Sequence, residues 1–158
     1  MKRIWAIVLL ALLMLSGCQR AKAADITPEE LANRLTRSLQ DEMPFTAADP
    51  DYVESNFPGL DASGLVYFGN DDDICEFGIF QLKEFSPEEA KDIIHAYIKT
   101  ELEALESMAA LYPSEELQER LSCYRNAHVS VGGGYAYYFI MEADEMATAR
   151  ATVRRALG

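Results

Sequence analysis

Two stretches of this chain, residues 74–83 (ICEFGIFQLK) and 135–142 (YAYYFIME), are apolar on both of their alternating faces, and this restricts the fold more than any other feature. In the first, Cys75, Phe77 and Ile79 oppose Ile74, Phe80 and Leu82. In the second, Tyr135, Tyr137 and Phe139 oppose Ala136, Tyr138 and Ile140. Side chains alternate across a strand, so a strand apolar on both sides belongs inside a sheet that is covered twice. Each stretch has a neighbour to pair with. Residues 64–69 (GLVYFG) come before the first, across the turn Asn70-Asp71-Asp72-Asp73, and residues 127–131 come before the second, across Gly132-Gly133-Gly134. Both pairs predict β-hairpins.

Helices are expected around them. Thr27-Pro28-Glu29-Glu30 is a capping-box sequence in which Thr27 caps, Pro28 takes the first helical position and Glu30 reaches back. Ile26 and Leu31 can staple across it, and Leu31, Leu35 and Leu39 form one apolar stripe, with the helix ending near Glu42. Residues 43–63 read as irregular apart from a short helix from Asp49-Pro50-Asp51 through Asn56, stopped by Pro58-Gly59. Ser86-Pro87-Glu88-Glu89 repeats the capping box and starts a long helix to about Ala110, with Ile94, Tyr97, Ile98, Leu105 and Met108 on its buried face. Tyr112-Pro113 ends it, and Ser114-Glu115-Glu116 caps a short helix reaching Cys123. A final helix over about 144–157 has acids first and Arg150, Arg154 and Arg155 last, an order that suits the helix dipole. The expected fold class is α+β, an antiparallel sheet of two hairpins with helices packed on it. The capping boxes start at positions 27 and 86 and the hairpins at 65 and 127, so a pseudo-duplicated α-ββ unit is conceivable. Side-chain identity between the halves is poor, and two generic units with common caps explain the spacing as well.

The N-terminus carries an address. Lys2 and Arg3 precede an unbroken apolar run, residues 4–15, which at 12 residues is shorter than the ~20 a helix needs to span a bilayer. Small residues follow at once, and Leu15-Ser16-Gly17-Cys18 matches a lipobox. The chemistry fits the residue types. The Cys18 thiolate is the strong nucleophile at that point and can take a diacylglyceryl group as a thioether. Small Ser16 and Gly17 admit a peptidase that cuts between Gly17 and Cys18. Each buried methylene contributes about 0.8 kcal/mol, so two acyl chains, palmitate for example, hold a protein where one does not. The expected organisation is a signal peptide over 1–17, a lipidated cysteine and tether over 18–25, and one domain over 26–158. The polar tether of residues 19–25 reaches about 23 Å at ~3.3 Å per residue. Arg20 and Lys22 in it are each expected to gain about 1 kcal/mol beside an anionic surface.

Charge and cysteines narrow the partners. The chain has 14 basic and 26 acidic residues. Two basic residues leave with the signal peptide, so the mature chain carries 12 against 26, a net charge of −14. That disfavours nucleic acid and anionic polymers. With Cys18 committed to lipid, Cys75 and Cys123 could form a disulfide in an exported protein, yet nothing in their spacing forces one, and the reading leans to two buried thiols.

The lipobox, the T-P-E-E and S-P-E-E helices, the intervening hairpin, Tyr112-Pro113 and the glycine turn into Gly134-Tyr135-Ala136-Tyr137-Tyr138 together resemble a family of small Gram-positive lipoproteins that carry the domain of unknown function numbered four-three-five-eight. The likeness covers nearly the whole mature chain. It implies a location and a fold, and it brings no activity, substrate or catalytic residue.

Few residues suggest chemistry. Asn70-Asp71-Asp72-Asp73 could offer carboxylates to calcium but lacks the EF-hand frame, and a solvent-side turn explains it better. Cys75, His95, Cys123 and His128 are scattered without zinc-ligand spacing. His95 falls on a polar helix face with Asp92 and Lys99. Cys123 and His128 could form a nucleophile–base pair only if the fold brought them together. Gly132-Gly133-Gly134 is not a phosphate loop, because the P-loop frame is missing. The rings of Tyr135, Tyr137, Tyr138 and Phe139, with Tyr67 and Phe77, read as core, or as a partner surface if helices cover one sheet face alone. The expected function is a lipid-anchored module on the extracytoplasmic face of the cell membrane, binding an envelope protein or small ligand. No cofactor, metal or catalytic residue is implied. The alternative is an exported, hydrolase-like enzyme using Cys123 or an acidic cluster.

Overall fold

The structure is a computed structural model that describes residues 24–39, 45–69, 75–83 and 87–158. The lipobox with Gly17 and Cys18, most of the tether, the Asn70–Asp73 turn and the Ser86 cap lie outside the described residues. Helix α1 (Pro28–Leu39) comes first, then strand β1 (Phe45–Ala47), helix α2 (Pro50–Asn56), strands β2 (Ala62–Gly69) and β3 (Glu76–Leu82), helices α3 (Pro87–Leu111) and α4 (Glu115–Arg125), strands β4 (His128–Gly132) and β5 (Tyr135–Ile140), and helix α5 (Ala143–Leu157). The fold is α+β. One antiparallel sheet runs in the order β1-β2-β3-β5-β4. The two strands that are apolar on both faces, β3 and β5, are hydrogen-bonded neighbours in its interior.

Helices cover both faces. On one, α1 and α5 pack together over Phe77, Ile79, Tyr135 and Phe139, with Leu31, Leu35, Ala149 and Val153 facing down. On the other, α2, α3 and α4 cover Val66, Phe80, Ala136, Tyr138 and Ile140. The aromatic strand is therefore core: Phe77, Tyr135, Tyr138 and Phe139 are buried, with Tyr67 and Tyr137 partly so. The helices that precede the two hairpins, α1 and α3, lie on opposite faces. A two-fold that exchanges antiparallel β3 and β5 keeps each face to itself, so the hairpins share generic caps rather than a repeated α-ββ arrangement.

Local chemistry sets the ends. Thr27 Oγ1 accepts from the Glu30 amide at 3.2 Å, while the Glu30 carboxylate goes forward to Arg34 at 2.6 Å instead of back to the cap. Asp49 caps α2 and Ser114 caps α4. Glu142 and Glu145 form a reciprocal capping box on α5 that the sequence reading did not include. Gly133 (φ 58°) and Gly134 (φ 83°) make the β4–β5 turn, where two successive positive φ values suit the twist of the strands they join. On α3 the buried stripe runs through Ile94, Ile98, Leu105 and Ala109, and Met108 is 49 % exposed, contrary to its expected burial. After Leu105 the stripe advances by four, which turns position 108 away from α4. Strand β1, inside the region read as irregular, adds an edge to β2.

Two glycines give aromatic rings room to lie on the sheet. A Cβ on Gly78 would sit 2.2 Å from the Tyr138 ring, and one on Gly64 would sit 2.3 Å from the Phe80 ring. Each ring belongs to the residue paired directly across the ladder. Gly78→Ala should therefore destabilise the fold by about 1–3 kcal/mol through forced displacement of a packed ring. An unchanged urea midpoint would show that Tyr138 can move aside.

Candidate functional site

Glu76 opens β3 and points, with Gly78 and Phe80, into the core beneath α3 and α4. It is 5 % exposed. A lone carboxylate there would cost several kcal/mol, so it must be hydrogen-bonded. Three tyrosines supply the bonds, each from a different element. Tyr97 of α3 donates to Oε1 at 2.7 Å, Tyr138 of β5 donates to the same oxygen, and Tyr124 of α4 donates to Oε2 at 3.1 Å. The hydroxyl of Tyr52 on α2 is 2.8 Å from that of Tyr97. Because Tyr97 gives its one proton to Glu76, Tyr52 is the donor to Tyr97. Tyr138 reaches Glu76 because Gly78, opposite it in the ladder, has no side chain to block the ring.

The electrostatics follow from burial. Desolvation pushes the Glu76 carboxyl above its ordinary value, the three phenolic hydrogen bonds pull it down, Glu101 pushes it up again, and the net direction is upward. Tyr97, Tyr124 and Tyr138 are held above the usual phenol range, first by burial and then by the negative charge of Glu76. They remain donors throughout the physiological range.

A cavity of about 380 Å³ opens beside this network. Tyr52, Phe68, Tyr97 and Tyr124 are among the residues that line it, and Glu76, Glu101 and Arg120 contribute its charged groups. Tyr52 and Phe68 meet edge to face, with centroids 5.3 Å apart. The lining is more polar than apolar and sets charged groups beside aromatic side chains in a concave space, as small-ligand sites do where polar groups converge.

The residues singled out from sequence are dispersed. Cys75 and Cys123 are both buried, and no disulfide joins them. They belong to core clusters on opposite faces of the sheet, which explains why they do not bridge. The Cys123 thiol is pushed up by burial and by Glu142, Glu145 and Glu119, so it stays protonated and is a weak nucleophile. His128 lies on the other face, its ring stacked near Phe139 with centroids 6.1 Å apart, and burial and Arg150 lower its basicity. The structure thus does not assemble a Cys123–His128 pair. His95 is exposed on α3. Among the described residues no group of three or more His, Cys, Asp or Glu side chains is placed to hold a metal ion.

Sequence reading missed Glu76. The signal was there: an acidic residue between Cys75 and Phe77 in a strand apolar on both faces, which has to be buried and partnered. Tyr97 and Tyr138 were read only as apolar bulk, and Tyr124 was not singled out. No family model, curated protein or solved structure matches the chain.

Two outcomes test the network. Tyr138→Phe removes a hydrogen bond to a carboxylate and should cost about 1.5–3 kcal/mol in urea denaturation. Because the fold raises the Glu76 carboxyl, it favours the protonated form. The stability this provides is complete below the unfolded carboxyl's pKa of about 4.3 and is lost as pH rises through the folded value. Glu76→Gln stays neutral, so wild type should lose stability relative to the variant as pH rises from 4 upward. A gap independent of pH would contradict the raised pKa.

Proposed function

We propose that the chain is a lipoprotein held through Cys18 on the extracytoplasmic face of the cell membrane, and that its folded domain is a ligand-binding module. The observation that carries the binding reading is the cavity beside Glu76, lined by Tyr52, Phe68, Tyr97 and Tyr124 together with the charged groups of Glu76, Glu101 and Arg120. Its hydroxyls are phenols that stay protonated, so they recognise a ligand rather than attack one. The anchor reading rests on the residue sequence at 15–18 and on the resemblance to small Gram-positive lipoproteins. No helix among the described residues is long and apolar enough to cross a membrane.

The path of the first described residues supports an orientation. The Ala24 amide donates to the Gly133 carbonyl at 2.8 Å, and the Tyr135 hydroxyl donates to the Ile26 carbonyl. The chain is therefore fixed to the β4–β5 turn from Ala24 onward, and six chain steps link that point to Cys18, a reach of about 20 Å at ~3.3 Å each. A Cβ on Gly133 would meet Leu157, so the end of α5, with Arg154 and Arg155, lies at the same pole. Glu76 pairs with Ile140, at the other end of β5 from Tyr135. That is about 17 Å away at ~3.4 Å per residue. In this orientation the cavity faces away from the bilayer, toward ligands arriving from outside.

The reading has two parts and each is measurable. Cys18→Ala should move the protein from the membrane to the soluble fraction, and retention in the membrane would remove the anchor. For the cavity, Phe68→Trp places a fluorescent reporter in the wall. Fractionated small-molecule extracts of the producing cells should shift its emission in the purified full chain, saturably. If every fraction leaves the emission unchanged, the binding reading fails.

A further inference from the structure

We propose that the cavity beside Glu76 takes a small organic cation, an alkylammonium group seated against the rings of Tyr52, Phe68, Tyr97 and Tyr124 and facing the carboxylates of Glu76 and Glu101. The inference rests on the binding reading above and names the ligand's chemistry.

Charge gives the first argument. Glu76 is buried, and its three partners are neutral hydroxyls. Among the described residues no Lys, Arg or His stands within ion-pair distance of it; the acids that are paired, such as Glu30, Asp61, Glu88, Glu103 and Glu106, are surface residues. Hydroxyl donors orient a carboxylate and satisfy its lone pairs without cancelling its charge. Oε2 accepts one hydrogen bond where Oε1 accepts two, so Oε2 keeps a lone pair for a further donor. A ligand cation in the adjoining space would supply the missing counter-charge.

The walls give the second. An aromatic face carries negative potential, and a cation within about 6 Å of a ring centroid is attracted, most strongly when both are out of water. Several rings lining one space are the arrangement that recognises ammonium groups with little exposed N–H, because those groups have few hydrogen bonds to lose on leaving water. Glu101 adds a second negative group to the lining. Arg120 is the cation in the lining, and its residue is solvent-exposed, so it can swing toward water when a like charge enters. A cavity of about 380 Å³ holds a small molecule and excludes a folded partner.

The test uses the full chain purified in mild detergent, with three probes: choline, ethylamine and 3,3-dimethylbutan-1-ol. The last matches choline in shape and lacks its charge. Choline or ethylamine should saturate the Phe68→Trp reporter and raise the melting temperature of the wild type. The neutral isostere should bind at least tenfold more weakly. Glu76→Gln should lose at least tenfold in affinity for the cation, and its circular dichroism reports whether it folds. Glu101→Gln, at a less buried position, should weaken the cation several-fold and leave the isostere unchanged. Preference for choline over ethylamine would assign a quaternary group, and the reverse a primary amine. Equal binding of choline and the isostere would overturn the cation proposal and leave the ligand pocket standing. So would a reporter that responds to cell extracts and to neither cation. Silence toward the cations and the extracts alike would overturn both.

Discussion

A buried carboxylate held by three phenolic hydroxyls ties this domain together, and most of its specific features can be traced to that contact. Removing a carboxylate from water costs several kcal/mol, and each hydrogen bond to it returns about 1.5–3 kcal/mol net. Three bonds offset part of that cost, and burial still leaves the Glu76 carboxyl raised. The partners stand 21, 48 and 62 positions from Glu76 in the chain, on α3, α4 and β5. Correct placement of Glu76 therefore requires both helices of one layer and the neighbouring strand to be in register. Gly78 belongs to the same device, because a side chain there would lift Tyr138 off the sheet and break one of the three bonds.

The two faces of the sheet divide the work. The α1–α5 face is filled with aliphatic and aromatic side chains and also receives the start of the described chain, through Ala24 and Ile26 at the β4–β5 turn. The α2–α3–α4 face contains the polar network and, beside it, the cavity, both at the pole away from the β4–β5 turn. The start of the described chain and the cavity thus sit at opposite ends of β5 and on opposite sides of the sheet.

What the sequence reveals follows from how local each signal is. Caps and stripes are local, and Thr27, Asp49, Ser114 and the leucines of α1 could be read within a few residues. The alternation in residues 74–83 and 135–142 is local too, and it placed β3 and β5 in the sheet interior. Strand β1 escaped because three residues carry no usable period, and its existence depends on an exposed edge of β2 to pair with. Met108 was misplaced because helical spacing allows steps of three or four, and only the position of α4 decides between them. The site escaped for a different reason. Tyrosine counts as apolar in a periodicity argument, so Tyr97, Tyr124 and Tyr138 registered as bulk, and their hydroxyls gain meaning only once the fold points them at one acid. Cys123 and His128, five positions apart, looked joinable, and the sheet separates them.

Stability alone does not account for Glu76. Replacing a buried charged cluster with well-packed apolar side chains of similar volume is often neutral or stabilising, so a fold selected only to hold together has no need of a carboxylate there. Specificity of packing is one use for it, and the long-range bonds from three elements serve that end. Yet specificity would be met equally by a network sealed within the core. This one borders a cavity, shares two of its tyrosines and the acid itself with the cavity wall, and has Tyr52, also in that wall, hydrogen-bonded to Tyr97. A group that is expensive to bury and is placed at the boundary between core and open space is what the proposed recognition role would require. Under that proposal the donors are already fixed by the fold, so a ligand entering the cavity would meet a preorganised surface and require little rearrangement of the protein.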